Sequence, residues 1–268
     1  MVNNMNNQGK LHCIPRLENI EQWKIIAEEY EAVFEYNDFF LPQLLDMPEQ
    51  LEHVICVYEE LQRDRAQDTL HGVFFDIVIG SEDRRIAEVC EYRLRQSMDI
   101  AARLGVKAVV FHTNYITNFN VPSYKKRWVE YNAMMIRTLL RDYPTLSVYM
   151  ENMFDMTPEL LGQLAEKMKN EERFGVCLDI AHAHLSSCPL EMWVEKLGPY
   201  IRHLHINDNF GEEDSHFAVG EGNIDWNILR HPQILEQAPS VLLEVRNAES
   251  FLRSVRYLKD HTLYPYNN

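Results

Sequence analysis

The sequence predicts a single (β/α)8 barrel. Two observations carry this. Eight short runs rich in β-branched and aromatic residues alternate with longer helical patterns along the chain, and three of those runs carry, near their C-terminal ends, an acid out of phase with most of their apolar residues. The length agrees: 268 residues, 46% hydrophobic and 25% charged, suit one such barrel without a second domain.

The barrel is expected over residues 11–268, after a flexible, Asn-rich segment 1–10 that has no apolar core to serve as a signal peptide. Strands are predicted at Leu11–Ile14, Ala32–Tyr36, Thr69–Phe74, Ala108–His112, Leu146–Glu151, Phe174–Asp179, Ile201–Ile206 and Val241–Val245. Between them, Ile86 to Leu104 reads as a helix with an apolar face of Ile86, Val89, Cys90, Leu94, Met98, Ala101 and Ala102, stopped by Gly105. Thr157-Pro158-Glu159 reads as an N-cap, a first helical proline and an early acid. No internal repeat or linker interrupts the alternation.

Composition narrows the function. A formal charge of −15 argues against a nucleic-acid partner, whose phosphates demand a basic face. Lys125, Lys126 and Arg127 read as a solvated helix face. No apolar run approaches the roughly 20 residues of a spanning helix, so no membrane partner and a cytoplasmic location are expected. The five scattered cysteines contain no CxxC pair and read as reduced thiols, not as a disulfide framework or a zinc site.

Alternation along a strand sorts its residues. Glu151 shares its side with Ser147 and Tyr149, Asp179 with Gly175 and Cys177, and Glu244 with Leu242, while the neighbouring apolar residues take the other side. Each acid therefore points into the barrel near its C-terminal end, where barrel enzymes place their sites. His205, in phase with His203 and Ile201, approaches the same mouth. A lone strand histidine is usually a hydrogen-bonded core residue, but three converging acids make it a ligand candidate. Buried carboxylates are costly unless paired or bound to metal, and an oxygen-rich set with one imidazole suits Mn, Mg or Co, with Zn if several ions bind.

His71, His112, His182, Asp214 and His216 lie at or near strand ends and are further candidates. His12, His53, His184, His203, His231 and His261 read as ordinary surface or capping residues. The Gly220–Asn223 loop reads as a tight turn or as a backbone close to the mouth.

Three motifs in order, Phe174-Gly175-Val176-Cys177-Leu178-Asp179-Ile180-Ala181-His182-Ala183-His184, His203-Leu204-His205-Ile206-Asn207-Asp208 and Gly220-Glu221-Gly222-Asn223-Ile224-Asp225-Trp226, resemble the xylose-isomerase-like TIM-barrel superfamily. That group includes sugar phosphate isomerases and epimerases and endonuclease IV. The resemblance runs from about His71 to Glu244 and implies that Glu151, Asp179, His205 and Glu244 hold one metal. It also implies that Glu151 and Glu244 are catalytic, exchanging a substrate proton beside an enediolate, with His182 orienting a small carbohydrate substrate. Barrels of this kind often dimerise, so a homo-oligomer is consistent with it.

A rival implication is multi-zinc phosphoester hydrolysis, because His71, His112, Glu151, Asp179, His182, His205, Asp214, His216 and Glu244 match the larger endonuclease IV ligand set. The acidic charge and the absence of a basic or intercalating loop argue against DNA, and Gly72-Val73-Phe74-Phe75-Asp76 reads as the lining of a small pocket. A small phosphoester would meet neither objection. Two in-phase glutamates argue against a barrel used only for binding. No Gly-rich phosphate loop is present.

Overall fold

In a computed structural model, which describes residues 9–267, eight parallel strands close on themselves in chain order. They are β1 (Leu11–Cys13), β2 (Val33–Tyr36), β3 (Thr69–His71), β4 (Ala108–His112), β5 (Ser147–Glu151), β6 (Phe174–Asp179), β7 (Ile201–Ile206) and β8 (Ser240–Leu243). Closure comes from β1 pairing with β8, Leu11 against Val241 and Cys13 against Leu243. Residues 1–8 of the expected flexible segment lie outside the described residues.

The alternation expected of the strands is present. Ala108, Val110, Tyr149 and Cys177 form a small cluster separate from the main core. Val109, Phe111, Val148, Met150, Val176 and Leu178 belong to the large core shared with the helices. Inner and outer faces of β4, β5 and β6 are thereby assigned, and Glu151 and Asp179 are in phase with the inner set.

Five strands are shorter than expected: β1, β2 and β5 each lose one end residue, and β3 and β8 end two or more residues early. β3 ends at His71, because the chain turns away after the Gly72 N–H reaches the Val110 carbonyl at 2.9 Å. A Cβ at Gly72 would lie 2.3 Å from the Phe111 ring, so the close crossing requires glycine. β8 ends at Leu243, which leaves Glu244 one residue past the strand, although its N–H still donates to Ile206 O at 3.0 Å.

Two helix expectations also need correction. The helix Arg84–Leu104 forms, with the Asp83 carboxylate accepting the Arg85 N–H at 2.8 Å and Gly105 ending it at φ 71°. Its buried face, however, is Cys90, Leu94, Ser97, Met98, Ile100, Ala101 and Leu104. The exposed Val89 and Ala102 flank that face on its two edges, while Ile86, on the same side as Leu104 five turns later, is exposed in the first turn. Ser97 takes a core position by accepting the Val73 N–H at 3.1 Å. The helix after β5 begins at Glu159 with Pro158 before it, and Thr157 makes no capping bond.

Arg127 pairs with Glu82 and the Lys125 Nζ donates to Asn120 Oδ1 at 2.9 Å, so that basic cluster is a surface helix face. Among the described residues no helix is long and apolar enough to cross a membrane.

Candidate metal centre

The register of neighbouring strands brings the acids together. His112 of β4 pairs with Glu151 of β5, and Asp179 of β6 pairs with His205 of β7. Glu244, just past β8, completes a quartet whose ligand atoms all lie within 4.8 Å of one another. His205 Nδ1 lies 3.4 Å from Glu151 Oε2 and 3.3 Å from Glu244 Oε2, so both glutamates converge on one ring nitrogen. Glu151, Asp179 and His205 are fully buried.

Their polar atoms are not satisfied by the protein. Glu151 Oε2, Asp179 Oδ2, Glu244 Oε2 and both ring nitrogens of His205 lack an aligned hydrogen bond. Buried polar groups are normally paired, and each unpaired carboxylate costs several kcal/mol. One face of Asp179 is nevertheless held firmly: its N–H donates to Asn152 Oδ1 at 2.8 Å, its carbonyl accepts from Asn152 Nδ2 at 2.9 Å, and its Oδ1 accepts the His182 N–H at 2.6 Å. The Oδ2 left over faces the cluster. This oxygen-rich donor set, immobilised and unpaired, fits a divalent cation.

The charges respond to the crowding. Burial, then the repulsion of Glu244, Glu151 and Asp214 against the pull of His182, raises the Asp179 carboxyl to about 7. Burial also works to keep His205 neutral, but Cys177, Glu151, Glu35 and Glu244 around it outweigh that and hold its imidazole well above the ordinary value. Glu151 is driven the other way: burial opposes its charge, yet His112 and His205 pull it well below the usual carboxylate range.

The five further candidates stand in the same mouth. His71 Nε2 and His112 Nε2 are 3.0 Å apart, and His112 Nε2 is 3.2 Å from Glu151 Oε2. His71 Nδ1 lies 3.1 Å from the Gly72 carbonyl, where it serves as the N–H donor, so Nε2 presents a lone pair. His71, His112 and Glu151 thus form a second donor group that shares Glu151 with the first. Asp214 Oδ2 lies 3.3 Å from His182 Nε2 and 3.0 Å from His216 Nε2, while His182 Nδ1 is 2.9 Å from the Asn152 carbonyl.

A layer deeper, the barrel holds polar residues that the sequence reading passed over. Glu35 of β2 lies with its Oε2 accepting from Thr69 Oγ1 at 2.6 Å and 3.1 Å from His203 Nε2. His203 Nδ1 meets Ser240 Oγ at 2.6 Å, and His12 Nδ1 meets Thr69 Oγ1 at 3.2 Å. Glu35 Oε1 comes within 3.1 Å of His205 Nε2, linking the two layers. Glu35 carried much the same signal as the other acids, a carboxylate out of phase with hydrophobic strand neighbours, here Phe34 and Tyr36. His12 and His203 are core residues, not surface or capping ones.

Gly220–Asn223 is a turn. Asp208 accepts from the Gly220 N–H and from Trp226 Nε1, both at 2.8 Å, and the loop does not line the main cavity. That cavity, about 390 Å³, opens above the quartet, and Phe40, Phe74, Phe75 and Phe154 contribute aromatic walls.

Comparison with known proteins sets this geometry in a family. A family model described as xylose isomerase-like TIM barrel matches residues 46–261. An uncharacterised protein of Methanocaldococcus jannaschii, MJ1311, is 25% identical over 91% of this chain and 80% of its own length. Among solved structures, a D-tagatose 3-epimerase-like protein superimposes with a TM-score of 0.73 at 22% identity, covering 94% of this chain and 96% of its own. A Thermus thermophilus protein soaked with ZnCl2 gives 0.72 at 22% identity, covering 95% and 97%. Endonuclease IV from the same organism gives 0.60 at 18% identity, covering 94% and 97%.

Proposed function

The chain belongs to the xylose isomerase-like TIM barrel family, and from that premise we propose that it is a divalent-metal-dependent isomerase or epimerase of a small sugar, sugar phosphate or hydroxy-carbonyl compound. The observation that carries this is the pair Glu151 and Glu244, brought from β5 and the end of β8 to within 3.4 and 3.3 Å of His205 Nδ1 beneath a small aromatic-walled cavity.

Glu151, Asp179, His205 and Glu244 would hold the ion, with Mn, Mg or Co suited to the quartet alone. Bound there, the cation supplies polarisation of a substrate carbonyl and stabilises the negative charge that proton loss leaves. The chain's own residues do the rest. One glutamate Oε2 takes the proton from the carbon next to the carbonyl, and the other glutamate returns a proton on the opposite face. Asn152 and the His182 N–H keep Asp179 from rotating. Phe40, Phe74, Phe75 and Phe154 give the cavity apolar surface against which the substrate's carbon skeleton would rest.

The test is solvent exchange. Metal-loaded protein incubated with a panel of ketoses and ketose phosphates in D2O should wash deuterium into the carbon next to the carbonyl of at least one. A panel that stays unlabelled overturns the reading.

One observation favours a second reading, a multi-zinc phosphoesterase acting on a small substrate: the groups His71–His112–Glu151 and His182–Asp214–His216 add donors around the quartet. Two or three zinc ions per chain, with release of inorganic phosphate from a phosphomonoester or diester, would decide for it.

A further inference from the structure

The rim of the cavity carries a feature the metal centre does not use. Arg16 and Arg246 are the only side chains with a permanent positive charge among its described lining residues. They arise from adjacent strands. Cys13 of β1 pairs with Leu243 of β8, and each arginine stands three residues beyond its member of that pair. Asn37, just past β2 on the other side of β1, also lines the cavity, and its Oδ1 has no hydrogen-bond partner. One arc of the mouth therefore presents two guanidinium groups and an amide.

These guanidinium groups make no direct pairing, although the Arg16 charge acts through space on Asp38. Neither has an ion pair or a side-chain hydrogen bond among the described residues. In a chain with 41 acidic against 26 basic residues, most arginines are paired, and among the described residues only Arg85 and Arg256 share the unpaired state. Arg93, Arg95, Arg103, Arg127, Arg137 and Arg253, for comparison, all reach a carboxylate on another element. The nearby Asp38 carboxylate takes its hydrogen bond from the Tyr58 hydroxyl. A neutral ligand would leave both guanidinium groups without a hydrogen-bonded anion.

We propose that the ligand of this cavity carries an anionic group, phosphate or carboxylate, which Arg16 and Arg246 bind at the rim while the remainder of the molecule reaches toward Glu151 and Glu244. A guanidinium presents paired N–H donors that match either anion. This rests on the small-molecule reading of the site, and narrows its substrate to a sugar phosphate or a sugar acid. It holds equally for a phosphoester substrate, so it can survive the failure of the isomerase assignment.

The experiment is calorimetric titration of the full-length, metal-loaded protein with D-fructose, D-fructose 6-phosphate and D-glucuronate. At least one charged probe should bind about tenfold or more tightly than D-fructose, as expected for charge-assisted contacts. Which charged probe wins separates phosphate from carboxylate. The preference should shrink in Arg246→Ala and vanish in Arg16→Ala/Arg246→Ala, and lysine at both positions should restore only part of it. Both arginines are solvent-accessible, and an unchanged melting temperature will show that the variants fold. Equal binding of all three probes, binding of none, or a preference that survives in the double variant overturns the proposal. Deuterium exchange is scored separately, so a protein that prefers anions without exchanging protons refutes the isomerase reading alone.

Discussion

Two layers of the same barrel interior are built from the same kinds of residue and end in opposite states. In the deeper layer Glu35, Thr69, His203, Ser240 and His12 pair with one another, and Glu35 Oε2 is fully engaged. At the mouth, Glu151, Asp179, His205 and Glu244 crowd together with oxygens and nitrogens unpaired. Residue type does not distinguish the layers; satisfaction does. A paired buried network stiffens a core, whereas an unpaired one is retained against its cost because something else completes it. Glu35 Oε1, the one fully buried side-chain atom of this deeper group that also lacks an aligned hydrogen bond, faces His205 Nε2 and is where they meet.

The comparison breaks most visibly in catalysis. Glu151→Gln and Glu244→Gln should each lower kcat by about 10²–10⁴, the usual worth of a general acid or base. Full activity in either glutamine variant would remove the mouth's claim to chemistry.

Stability should show the inverse ranking. Glu35→Ala strands His203 and Thr69 in the core, and denaturant unfolding of the metal-free protein should reveal a loss of about 3–5 kcal/mol. Asp179→Asn, which relieves a carboxylate repelled by Glu244 and Glu151, should leave the metal-free protein as stable as wild type or more so. If the two variants unfold alike without metal, the layers do not differ as described.

Metal separates the layers next. A cation at a hundred times its Kd should stabilise wild type by about 2.7 kcal/mol, read as a melting temperature that falls on chelation. Asp179→Asn should lose most of that response, because it removes a ligand. The smallest effect belongs to Ser240→Ala, which deletes one hydrogen bond to His203 and should cost about 1 kcal/mol with metal content unchanged.

Much of this was legible beforehand. All eight strands lie where the β-branched and aromatic runs place them, and the in-phase acids of β5 and β6, together with Glu244 just past β8, reach one mouth. Two things were hidden. The buried face of Arg84–Leu104 includes Ser97, whose hydroxyl accepts the N–H of Val73, a partner distant in sequence, and excludes Ile86, whose turn reaches beyond the core. Glu35 and His203 could not be distinguished from Glu151 and His205 by phase, since all four share it with an inward face.

By itself the sequence determined the order of elements, their approximate ends and which side of each strand a residue takes. Those follow from short-range periodicity, which a linear string records. Only the closed barrel decided which inward residues meet, which are satisfied, and which are left for a ligand. That depends on the register between strands far apart in the chain: Cys13 against Leu243 sets Arg16 beside Arg246, and Asp179 against His205 sets acid beside imidazole. Shifting either pairing by one residue would keep every local pattern and dissolve the site that pairing builds.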